Sequence, residues 1–137
     1  MHARASYDYA VIRVVPRVER EEFVNVGVIL SCPAQDFLEA RIVVDADRLR
    51  VLDPSLDIDA LRSHLDTIPV ICRGGADALA IGQLSVRERF HWLVAPRSTV
   101  IQTSPVHSGQ STDADATLTQ LLQTMVLRPP LPTGSAR

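Results

Sequence analysis

The chain contains no lysine, and all 14 of its basic residues are arginine. Chemistry that needs an amine at a defined place is therefore excluded: a Schiff base, the lysine of a phosphate-binding loop, or a lysine-dependent nuclease core. Cysteine is scarce. Cys32 and Cys72 stand far apart among apolar neighbours, a setting for two buried thiols rather than a disulfide or a metal site. His2, His64, His91 and His107 are dispersed, and neither His-Glu-x-x-His nor Cys-x-x-Cys occurs, so no metal and no cofactor are expected. No Gly-x-Ser-x-Gly elbow is present, which removes the commonest local sign of a serine nucleophile. No run of about 18 apolar residues exists, and residues 1–6 lack the apolar stretch of a leader. A cytoplasmic location without a membrane partner is expected. The net charge is −2 with the arginines scattered, which argues against nucleic acid as a partner.

What is present is a globular balance, with 46% hydrophobic and 22% charged residues over 137 positions, enough for one core. We expect one α+β domain over residues 1–127 and a flexible Pro-rich tail over 128–137. Residues 7–15, 23–32 and 37–44 alternate with a period of two. One face carries Ala10, Ile12 and Val14, then Val24, Val26, Val28, Leu30 and Cys32, then Leu38, Ala40, Ile42 and Val44. Short connections between the segments predict an antiparallel β-meander. Asp45 caps a short helix to Leu52, Asp57 caps a second with Pro69 bending or ending it, and the Ser85/Glu88 capping box opens a third. Residues 99–102 predict a fourth strand, at an edge or beside the first. Thr112 or Asp113 caps a last helix striped by Leu118, Leu121, Leu122, Met125 and Val126. The simplest assembly is a two-layer α+β sandwich with the helices packed on one face of the sheet.

The opposite face would be mixed, with Arg13, Asn25, Gly27 and Arg41 among Tyr9, Phe23, Ile29 and Val43. A helix of the same chain, a protein partner or a second copy would bury such a surface. Asn25 and Gly27 also interrupt the strand pattern in the manner of a β-bulge, and a glycine there permits close backbone approach. A second polar group lies between residues 97 and 109, where Arg97, Ser98, Thr99, Gln102, Ser104 and His107 fall close in sequence. Arginine with hydroxyls suits an anion, and His107 is able to move a proton near neutral pH. The plainer reading is a strand and a Ser-Pro turn whose hydroxyls serve their own backbone.

Four stretches carry a resemblance: Tyr7-Asp8-Tyr9-Ala10-Val11-Ile12-Arg13-Val14-Val15-Pro16, Glu22-Phe23-Val24-Asn25-Val26-Gly27-Val28-Ile29-Leu30, Arg89-Phe90-His91-Trp92-Leu93, and Ala95-Pro96-Arg97-Ser98-Thr99-Val100-Ile101-Gln102 with Ser104-Pro105-Val106-His107-Ser108-Gly109. Together they resemble the bacterial family of unknown function DUF3037. The resemblance implies no reaction; it implies a protein partner, a HipA-like kinase often encoded alongside, and it marks Asn25, Gly27, Arg97, Ser98, Thr99, Gln102, Ser104, His107 and Gly109 as the family's polar positions. With no recognisable catalytic set, the expected role is a binding or regulatory module docking such a partner through the mixed face. The alternatives are a small enzyme or ligand-binding protein acting on a phosphorylated or nucleotide-like molecule through Arg97 and His107, and a structural homodimer.

Overall fold

The computed structural model describes residues 3–97 and 99–132. Five antiparallel strands make one open sheet: β1 (Ala5–Val14), β2 (Val24–Cys32), β3 (Phe37–Ile42), β4 (Ile101–Thr103) and β5 (His107–Ser111). β1, β2 and β3 form the expected meander, and β4 and β5 both pair with the free side of β1. The fourth strand lies beside the first, one of the two places expected for it, and spans Ile101–Thr103 rather than residues 99–102. β5 is the strand that the pattern analysis missed, because residues 107–111 are His-Ser-Gly-Gln-Ser and carry no apolar alternation.

Four helices follow β3 and one follows β5: α1 (Ala46–Leu52), α2 (Ile58–Leu65), α3 (Thr67–Arg73), α4 (Val86–Leu93) and α5 (Ala114–Met125). The predicted caps are formed. Asp45, Asp57 and Asp113 each accept from the backbone N–H of the third residue of their helices, and Ser85 with Glu88 closes both halves of its capping box. The expected bend near Pro69 falls at Asp66, between α2 and α3. Pro69 itself sits in the first turn of α3, where an N–H has no intrahelical partner, so the ring is tolerated there.

The one-face arrangement of helices is corrected by the structure. α1 to α4 pack on the side of Ile12, Val14, Val24, Val26 and Ile29, while α5 lies on the other side against Val28, Leu30 and Cys32. Two physical causes combine. Ile12 pairs with Gly27 but Arg13 pairs with Asn25, so Val26 is an extra residue in a β-bulge. The bulge lets Val24 and Val26 share a face with Ile29 and sends Val28, Leu30 and Cys32 to the opposite one, which a strict period of two cannot register. That second apolar patch then needs cover, and the Leu118, Leu121 and Leu122 stripe of α5 supplies it. Gln35 fixes where α5 begins: its Nε2 donates to the Ser111 carbonyl at 3.1 Å and its Oε1 accepts from Ala114 N–H at 3.0 Å. Arg128, the first residue of the expected tail, pairs with Asp45 at the start of α1, Nη2 to Oδ1 at 2.8 Å. Residues 133–137 of the expected tail lie outside the described residues.

Candidate functional site

Because α5 packs on β2 and β3, it covers only part of the mixed face. Tyr7 and Tyr9 of β1 pack against the apolar cluster under α5, with His107 opposite Tyr9, and the far end of the face holds Arg13 and Gln102, with Phe23 beside Arg13 just before β2. Register explains the grouping: Arg13 lies opposite Gln102 on β4 and Asn25 on β2, and directly paired residues project to the same side. The Arg13 guanidinium stacks on the Phe23 ring, 4.2 Å from its centroid, and Phe23 is 45% exposed although it is one of only three phenylalanines. Arg13, Phe23, Arg97 and Gln102 line a cleft of about 520 Å³ whose other wall carries Glu19 and Glu21.

Arg13 is the least satisfied group in that cleft. Its Nε is buried without a hydrogen-bond partner, and no carboxylate comes within ion-pair distance of it among the described residues. A half-buried guanidinium with no counter-charge is costly, because lost hydration is not replaced. Asn25 next to it donates its Nδ2 to the Met125 carbonyl at 3.0 Å, which holds the C-terminal end of α5, and its Oδ1 is buried without a partner.

The remaining candidates are occupied by the fold. Arg41 bonds the Asp115 carboxylate and the Thr119 hydroxyl of α5, so it ties helix to sheet and is not a free docking group. A Cβ at Gly27 would lie 2.7 Å from the Arg41 carbonyl oxygen and 3.0 Å from both Ile12 and Ile42, so that glycine allows β2 and β3 to close at the bulge. Ser104 is buried: its Oγ accepts from Val11 N–H at 2.8 Å and donates to the Pro105 carbonyl at 2.9 Å. Thr99 donates to the Ile101 carbonyl at 2.7 Å, closing a local turn. Ser98 lies outside the described residues.

Arg97 and His107 do not share a cavity. Arg97 donates to the Leu93 and Trp92 carbonyls at 3.0 Å each, caps the end of α4, and stacks on the Trp92 ring at 4.8 Å. It lines two clefts, both with Gln102, and His107 lines neither. His107 is opposite Tyr9, four residues along β1 from Arg13, a separation of about 13 Å. Its ring packs 5.3 Å from that of Tyr9. The pairing of an anion holder with a proton carrier is therefore not built by these two residues. Phe23 was expected on the mixed face, whereas Glu19 and Glu21 are cleft residues that sequence reasoning did not nominate; a turn folding back over β1 carries no local signature.

Two other hollows are explained by packing. One of about 530 Å³ beside β3 is lined by Cys72, Arg73 and Arg89, where Arg89 donates to the Leu84 and Cys72 carbonyls. The Cys72 thiol is pushed up to about 12 by burial, with Arg89 opposing that shift. Cys32 and Cys72 are both buried and free, on opposite sides of the sheet. The second hollow, about 520 Å³ between α2 and residues 99–101, is lined mainly by apolar side chains. Among the described residues no three His, Cys, Asp or Glu side chains gather in a way that would hold a metal ion, and no helix is long and apolar enough to cross a membrane.

No curated protein and no solved structure matches the chain. A family described as "Protein of unknown function (DUF3037)" matches residues 9–126. With that match running from β1 to the end of α5, the chain belongs to the DUF3037 family.

Proposed function

We propose that this protein is a binding module that docks a protein partner through the β1, β4 and β5 part of its mixed sheet face. One observation carries the reading: the half-exposed Phe23 with Arg13 stacked on it, in a chain with only 4% aromatic residues. Aromatic and arginine side chains grouped at a surface are the residue types that dominate binding energy at protein interfaces. The site is smaller than the whole outer face, because α5 takes the remainder. The resemblance that names the family also supplies the first partner to try, a HipA-like kinase.

Calorimetric titration of the full chain with that kinase tests the reading. Saturable binding is expected, weakened at least about tenfold by Phe23→Ala and Arg13→Glu, the loss of a central contact. Arg62→Glu, on the exposed side of α2, is expected to bind like the parent protein. Absence of binding, or binding indifferent to Phe23 and Arg13, would overturn it.

A further inference from the structure

Arg13 points to the chemistry of what docks. One guanidinium face is taken by Phe23 and Nε is buried without a partner, so the terminal N–H groups are the part left to meet a partner in the cleft. An arginine edge offers two parallel N–H donors at the spacing of a carboxylate, a match that a point charge does not reproduce. Arg97 adds a second positive charge to the same cleft, with its two terminal nitrogens already committed to carbonyls and its own charge unneutralised. Glu19 and Glu21 stand on the cleft wall without reaching either arginine within ion-pair distance. The cleft therefore presents a positive floor and a negative rim, a pattern complementary to an acidic side chain with a basic neighbour.

Building on the docking reading above, we infer that Arg13 is the receptor for a single Asp or Glu carboxylate of the partner, with a basic residue beside it meeting Glu19 and Glu21. The carboxylate lies against the terminal N–H groups of Arg13. Asn25 and Gln102 flank Arg13 on the neighbouring strands.

The test uses the full chain labelled with ¹⁵N and two probes, N-acetyl-Glu-Arg-amide and N-acetyl-Gln-Arg-amide, with inorganic phosphate as a third. The Arg13 Nε–H resonance is expected to shift saturably with the glutamate probe. The glutamine probe should need at least about tenfold higher concentration, since the charge-assisted bidentate pair is gone. Arg13→Lys, which keeps the charge and spares the fold, should weaken the glutamate probe by a similar factor, followed through the backbone amides of Phe23 and Gln102. Equal response to the glutamine probe would overturn the inference. So would preference for phosphate, or a stationary Nε–H, which would mean that Asn25 or the cleft's own glutamates already satisfy it. The two proposals fail separately. Kinase binding that depends on Phe23, with no probe response at Arg13, leaves the docking reading and removes the carboxylate receptor; a probe response without kinase binding does the reverse.

Discussion

Ser104 shows how one hydroxyl can repair a strand. β4 ends with Thr103 opposite Ile12 and β5 starts with His107 opposite Tyr9, so Ser104, Pro105 and Val106 face only Ala10 and Val11. Pro105 has no N–H to give, and the ladder breaks there. The Ser104 side chain takes the Val11 N–H that would otherwise be orphaned, while the Ser104 N–H donates to the Val11 carbonyl at 2.8 Å. Ser104→Ala should lower stability by roughly 1–3 kcal/mol, the cost of a buried unsatisfied N–H. Urea unfolding would register this as a lower midpoint at an unchanged slope, and an unchanged midpoint would contradict the account. Of the two readings the sequence left for Thr99 and Ser104, both hydroxyls do bond a nearby carbonyl of their own turn, but the bond of Ser104 to Val11 crosses between strands and had no local signature. Sequence reasoning had no means of telling that Arg41 is spent on α5 while Arg13 is left without a partner. Both are arginines at outward positions of alternating strands, and only the path of α5 separates them.

At the scale of elements, caps and stripes were legible because their determinants lie within four residues of one another. Asp45 adds a longer-range role. Its carboxylate caps α1 and also binds Arg128, so the end of the chain after α5 is latched to the start of the first helix. The Arg128 hydrogen bond, helped by the Arg48 N–H, lowers the Asp45 carboxyl to about 2. A carboxyl depressed in the folded state contributes stability that is present above its ordinary value near 3.9 and lost as pH falls towards the folded value. The latch should therefore loosen between about pH 4 and pH 2. In Arg128→Ala the Asp45 titration, followed by carboxyl carbon NMR, should move up towards the ordinary carboxylate range. A midpoint that stays put would show that the cap alone sets it.

The whole molecule has two apolar clusters, one on each side of the sheet, and each buries one cysteine. The thiols cannot meet through the sheet, and Cys72 with its raised pKa holds almost no thiolate at neutral pH. Alkylation with iodoacetamide at neutral pH should leave the folded protein unmodified and label both cysteines in denaturant, as counted by mass spectrometry. Rapid labelling of Cys32 in the native protein would mean that α5 opens readily, because Cys32 lies in the cluster under that helix. The same measurement made with the kinase bound asks whether docking beside α5 holds that helix down.

By itself the sequence determined the antiparallel meander, the caps and extents of most helices, the buried thiols, the family, and the exclusion of amine chemistry. Each of these depends on residue type or on spacing along a short stretch of chain. Tertiary structure alone decided that α5 crosses to the other side of the sheet, that β5 completes the edge of β1, and that Arg13, Phe23, Arg97 and Gln102 share a cleft. The physical reason is that a bulge at Val26 and a second break at Pro105 each alter facing or register by one residue, and the consequence appears only across strands.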